Sequence, residues 1–226
     1  MANAAASRGR IAAVAGASGL VGRCLVERLC ADPGVAQVHA LVRRALPVAH
    51  PKLRTHVVDV AAPPALPALD EVYLALGTTI KVAGSQAAFR AVDFDANLAV
   101  ARAALAAGAR HCGLVSALGA NARSAVFYSR VKGELEDALA ALPFEALVIA
   151  RPAMLRGDRH ALGQPVRSGE LLWGGFDDAL RLFIPRGLRA IAADDVAAAL
   201  ARAVPAARGR AVLDSSAMQG AASRTS

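Results

Sequence analysis

The sequence predicts an α/β fold: a doubly wound parallel sheet covered by helices on both faces. Three observations carry this. Short, continuous apolar runs recur along the chain, as strands buried on both faces require. Segments of helical periodicity separate them, so the strands are joined by crossovers rather than hairpins. The first apolar run ends in glycines that open the first helical segment. Right-handed crossovers then give the doubly wound arrangement. At 226 residues the chain is long enough for one good core and reads as a single domain, 1–226, without internal repeats.

Residues 1 to 9 are small and polar and read as a loose leader. IAAVA (11–15) is a short apolar strand ended by Gly16. From Leu20 to Cys30 the pattern is helical, with Val21, Leu25, Val26 and Leu29 on one face, and Pro33 and Gly34 punctuate its end. VHALV (38–42), THVVDV (55–60) and EVYLAL (71–76) are the next three strands. After a polar loop, an alanine-rich helix runs from about Ser85 to Ala107 and closes at Gly108. HCGLVS (111–116) is the fifth strand, 125–142 the next helix with Pro143 beyond it, and FEALVIA (144–150) the sixth strand. Residues 153–190 form a variable segment rich in Gly, Pro and Arg, predicted to be a small substrate cap or partner-binding region. ADDVAAALARAV (193–204) is the last helix and RAVLDS (210–215) a final strand, and the tail 216–226 is expected to be flexible.

Composition narrows the function. The net charge is +8 and the pI about 10.4, yet the arginines are scattered and no aromatic residues interleave with a basic stripe. Nucleic acid is therefore not the expected partner. The charge suits a solvated arginine-rich surface, or an anionic cofactor or substrate. No apolar run is long enough to span a membrane. The basic-then-apolar start has the look of a signal peptide, but Arg23 interrupts it and the glycines have a better explanation. Cys24, Cys30 and Cys112 show no metal-ligand spacing and read as free, buried thiols, which points to a reducing cytoplasm.

That better explanation is a dinucleotide. Gly16, Gly19 and Gly22 fall at a strand-to-helix turn, where glycines permit a tight bend, close backbone approach to a pyrophosphate, and close helix–sheet packing. Ser18, Leu20 and Val21 share that turn. The second strand ends in Arg43 and Arg44 where an NAD site would place an acid, so NADP(H) is favoured over NAD(H). Asp59 and Val60 sit where such folds hold adenine, and Leu76, Gly77 and Thr78 end the fourth strand at the ligand-binding edge.

Of 26 cationic residues only Lys52, Lys81 and Lys132 are lysine, and Lys132 follows Tyr128 by four positions on one helix face. A cation there would stabilise a phenolate, making the tyrosine a usable acid/base. Ser116 precedes Tyr128 by 12 residues, at the carboxyl end of the fifth strand.

On GASGLVG, LVRR, LGTT, VDFDANLAVARAALAAGARH, LVSALGA, YSRVKGELE and IARPAML, the chain resembles the atypical short-chain dehydrogenase/reductases. It is similar to the NAD(P)-binding group that includes the HIV Tat-interacting protein. The likeness covers about residues 10 to 204 and implies a Rossmann fold with Ser116 polarising a carbonyl, Tyr128 as acid/base and Lys132 assisting. It also implies NADP(H) binding through the glycine turn, Arg43 and Arg44, with Arg151 and Pro152 in the family's Arg-Pro position. Relatives add a helix asparagine as proton relay; here Asp93 and Asn97 are both candidates.

The leading expectation is an NADP(H)-dependent oxidoreductase acting on a small carbonyl or alcohol. The alternatives are a sugar-nucleotide epimerase or dehydratase, with Arg151, Arg156 and Arg159 toward a phosphate, and a non-catalytic NADP(H)-sensing regulator presenting Leu171, Leu172 and Trp173 to a protein. A homodimer is left open as the assembly.

Overall fold

The computed structural model describes residues 8–156 and 190–225. Its centre is a seven-stranded, wholly parallel sheet in the order β3-β2-β1-β4-β5-β6-β9. The strands are β1 (Arg10–Ala15), β2 (Val35–Val42), β3 (Leu53–Val57), β4 (Glu71–Leu74), β5 (His111–Val115), β6 (Ala146–Arg151) and β9 (Gly209–Asp214). A two-stranded pair, β7 (Leu155–Arg156) with β8 (Ile191–Ala192), lies beside it in the chain order. Because β1 sits between β2 and β4, the winding direction reverses there. A crevice therefore opens beyond the carboxyl ends of β1 and β4, the usual place for a ligand in an open α/β sheet.

Two apolar layers cover the sheet. On one face α1 (Leu20–Ala31) and α6 (Ala193–Ala206) pack Leu25, Leu29, Val196 and Leu200 against Val14, Val38 and Val148. On the other, α4 (Asn97–Ala106) and α5 (Phe127–Ala140) place Val100, Ala104, Leu135 and Leu139 over Leu41, Leu74, Leu114 and Ile149. Alanine dominates the buried face of α6 (Ala193, Ala197, Ala198 and Ala199), whereas α1 and α5 bury leucine and valine instead. Leu25, Leu135 and Leu139 are fully buried, each a side chain whose burial is worth roughly 1.5–3 kcal/mol.

Several sequence expectations need correction. The third strand ends at Val57, two residues before Asp59, because its last rung to β2 is the Val58 N–H to the Val42 carbonyl. The alanine-rich helix runs unbroken from Gln86 to Ala106 between the caps Ser85 and Ala107, as expected, but its middle turn is π-helical and a separate short helix precedes it. Two short helices, α2 (Ile80–Ala83) and α3 (Gln86–Arg90), lead into a π-helical segment, Ala91–Ala96, before α4. The tail, described to Thr225, carries regular elements where the sequence suggested none: α7 (Ser215–Met218) is capped by Asp214, whose Oδ1 accepts the Ala217 N–H at 2.8 Å. A 3-10 turn follows at Ala222–Thr225. Ser215, Met218 and Ala221 are fully buried, and the Ala222 N–H reaches Asp195 Oδ1 at 3.0 Å, so the tail docks on α6. The cysteines are free, with Cys30 and Cys112 buried and Cys24 half-buried. Among the described residues no helix is long and apolar enough to cross a membrane. Most of the expected cap, with Arg159, Leu171, Leu172 and Trp173, lies outside the described residues.

Candidate active site

The glycine turn forms one wall of the crevice. Gly16 has φ +81° and accepts the Gly19 N–H at 2.9 Å through its carbonyl. A side chain there would meet the Ala75 carbonyl at 2.5 Å, and one at Gly22 would meet the Gly16 carbonyl oxygen at 2.1 Å. The turn thus folds against its own helix and against the end of β4 in a way only glycine allows. Helix α1 begins at Leu20 with no side-chain cap, leaving its first N–H groups open to an anion. Gly19, Leu20 and Val21 line the cleft, which has a volume of about 340 Å³. Gly22 is buried behind the turn and Ser18 is exposed beside it. An uncapped helix start in a glycine cradle fits the pyrophosphate of a dinucleotide.

The opposite wall combines the ends of β4 and β5 with α5. Leu76, Gly77, Thr78, Ser116, Tyr128, Lys132 and Pro152 all line the cleft. The half-buried Tyr128 ring rests on the buried Phe89, 5.5 Å between centroids and tilted by 47°. One helical turn on, the Lys132 Nζ pairs with Asp93 Oδ1 at 2.8 Å, both side chains being almost completely buried. The second oxygen of Asp93 accepts the Thr78 N–H at 2.8 Å.

The two helix residues that the sequence left open as relay candidates are placed differently. Asn97 donates its carboxamide hydrogens to the backbone carbonyls of Leu76, Val92 and Asp93 and serves as a brace. Asp93, set in the π-helical segment, faces the cleft. Such widened turns are frequent at functional sites.

Ser116 is committed differently from what the sequence suggests. Its hydroxyl is 2.5 Å from Glu136 Oε1, and a carboxylate can only accept, so the single hydroxyl proton goes to Glu136. Arg151 grips the same carboxylate through Nε at 3.0 Å and Nη2 at 2.5 Å, and Arg210 adds a contact at 3.4 Å. The hydrogen bond to Glu136 raises the Arg151 pKa further above the usual arginine value.

Glu136, which the sequence did not single out, lies outside the cleft lining but holds the cleft residue Ser116. Its signal was its place four residues after Lys132 on the same helix, buried where an acidic residue needs partners. The structure does not bring every predicted residue to the cleft. Arg43 and Arg44 stand exposed just past β2. Asp59 is exposed, its Oδ1 accepting the Ala61 N–H in a local turn, and Val60 packs into the core. Arg151 serves Glu136 rather than lining the cavity.

A family model described as NAD(P)H-binding matches residues 16–206, from the glycine turn to the end of α6. The chain belongs to this NAD(P)H-binding family. Among curated proteins it is similar to Protein FMP52, mitochondrial, of Eremothecium gossypii, at 39% identity over 152 residues covering 66% of this chain and 68% of that one. The same-named protein of Candida albicans is 35% identical over 164 residues, covering 68% and 72%. These names overturn the cytoplasmic expectation, which rested only on unpaired cysteines.

Among solved structures, the NAD(P)H-binding chain is similar in fold to MoeE5 in complex with UDP-glucose and NAD. The TM-score is 0.65 at 20% identity, covering 89% of this chain and 74% of that one. The Helicobacter pylori ADP-L-glycero-D-manno-heptose-6-epimerase gives 0.63 at 16%, covering 92% and 77%. Together with the parallel sheet and glycine turn, this gives the NAD(P)H-binding chain a Rossmann fold.

Proposed function

We propose that this NAD(P)H-binding protein is an NADP(H)-dependent oxidoreductase that interconverts a small carbonyl compound and its alcohol. The observation that carries this reading is that Tyr128 and a buried Lys132 share one cleft with the uncapped start of α1. A bound nicotinamide would supply or accept the hydride. Tyr128 gives or takes the proton at the substrate oxygen, and Lys132 supports the phenol electrostatically from the next turn. Ser116, with its proton engaged by Glu136, orients a substrate hydroxyl by accepting from it rather than polarising a carbonyl by donating. The exposed pair Arg43 and Arg44, just beyond β2, supports recognition of a 2′-phosphate and hence NADP(H).

Two measurements test this. In a fluorescence titration, NADPH should bind more tightly than NADH, and Arg43→Ala/Arg44→Ala should weaken NADPH selectively. Equal binding of both nucleotides removes the NADP preference, and binding of neither removes the oxidoreductase reading. In a carbonyl screen, Tyr128→Phe should lower turnover at least about a hundredfold while cofactor affinity stays within about twofold of wild type, because the phenol acts on substrate. Protein that purifies with stoichiometric NAD would instead favour a sugar-nucleotide epimerase or dehydratase.

A further inference from the structure

Among the described residues, three that line the cleft are titratable: Asp93, Tyr128 and Lys132. A phenol beside an ammonium alone gives up its proton more readily. Beside an ammonium that is already paired with a carboxylate, the two fields oppose, and the carboxylate offsets part of the ammonium's pull on the phenol's proton. Here the pair is tight and dry: 2.8 Å, with side chains 5% and 1% exposed. The Thr78 N–H fixes the carboxylate from its other side.

Tyr128 has these further neighbours on the elements packed around it. From α3 it faces the uncharged Phe89 ring. On its own helix, Glu134 is paired with Arg90 and also lies near Arg130. Glu136 is paired with Arg151 and Arg210.

We propose that Asp93 is a positioning residue that offsets the charge of Lys132, so that Tyr128 is held as a proton donor and the site is set for carbonyl reduction. This rests on the catalytic role proposed for Tyr128. In that reduction the carbonyl carbon takes a hydride from the reduced nicotinamide and the C=O π bond breaks. The carbonyl oxygen takes the Tyr128 proton, the products are the alcohol and oxidised NAD(P), and solvent returns a proton to Tyr128.

The chain has only two tyrosines, which makes the idea measurable without a substrate. Tyr73 is completely buried, and burial pushes its phenol well above the usual tyrosine range. The first phenolate to appear in an ultraviolet pH titration therefore belongs to Tyr128, and its loss in Tyr128→Phe makes the assignment. Asp93→Asn should move that transition down by roughly one pH unit, and Lys132→Met should move it up. The double variant Asp93→Asn/Lys132→Met, which removes both charges, should return it toward wild type.

A transition unmoved by Asp93→Asn, or a double variant that titrates like Lys132→Met alone, overturns the proposal. Should Asp93→Asn fail to fold, Lys132→Met against the double variant carries the same test, since removing a lone carboxylate must lower the transition. In turnover, the alkaline limb of carbonyl reduction should move to lower pH in Asp93→Asn. Shifted titrations without turnover of any carbonyl by wild type would keep the electrostatics and remove the catalytic reading. Turnover that depends on Tyr128, with titrations that do not move, would remove the role of Asp93 alone.

Discussion

Two carboxylates are buried against α5, and they hold different kinds of partner. Glu136 takes the Ser116 hydroxyl and Arg151 Nε on one oxygen, and Arg151 Nη2 and Arg210 on the other. Its partners come from the end of β5, from β6 and from β9, and both guanidiniums stand outside the cleft. Asp93 takes one ammonium and one backbone N–H, and its ammonium lines the cleft. Buried charge needs compensation in both cases. What differs is where the compensating charge stands: Glu136 ties a helix to three strands, whereas Asp93 holds an ammonium that lines the cleft.

Stability measurements can break this comparison. Glu136→Ala leaves two guanidiniums and a hydroxyl without their acceptor, and should cost about 3 kcal/mol in urea unfolding, the low end because Arg151 and Arg210 are partly exposed. The Tyr128 titration should be unaffected. If it moves as far as in Asp93→Asn, the two carboxylates are not distinct in role.

Asp93→Asn should cost a comparable amount, about 3 kcal/mol, because the amide keeps an acceptor for Thr78 but Lys132 loses its counter-charge in an almost fully buried pair. A larger loss than for Glu136→Ala would make Asp93 the main clamp. Ser116→Ala removes one hydrogen bond to a charged group, worth about 1.5 kcal/mol, and should lower turnover less than tenfold where Tyr128→Phe lowers it far more. A hundredfold loss would restore Ser116 as a donor to the carbonyl. Arg43→Ala/Arg44→Ala, at exposed positions, should leave stability within about 0.5 kcal/mol while NADPH binding weakens.

Much of the architecture was readable because it is encoded locally. The apolar runs at 11–15, 38–42 and 111–116 became strands with boundaries shifted by at most three residues. The misreadings are equally specific. Asp59 was assigned to a strand that stops at Val57, because the partner strand β2 has already ended at Val42. The tail looked featureless, yet Asp214 caps a helix whose Met218 finds a buried seat. Apolar content in a short segment does not reveal whether a pocket exists to receive it. The π-helical segment was hidden for a related reason: Asn97 braces three carbonyls, one of them from the end of β4.

The sequence by itself determined the glycine turn, the alternation of strands and helices, and the placing of Tyr128 and Lys132 on one helix face. Each depends on neighbours a few residues away and on fixed helical or strand periods. Only the tertiary structure decided that Asp93 rather than Asn97 meets Lys132, that the Ser116 proton goes to Glu136, and that Arg151 is a clamp outside the cleft. Those outcomes turn on distances between residues far apart in the chain. Hydrogen bonds and ion pairs fall off within a few ångströms, so a side chain's partner is fixed by packing and cannot be read from its spelling.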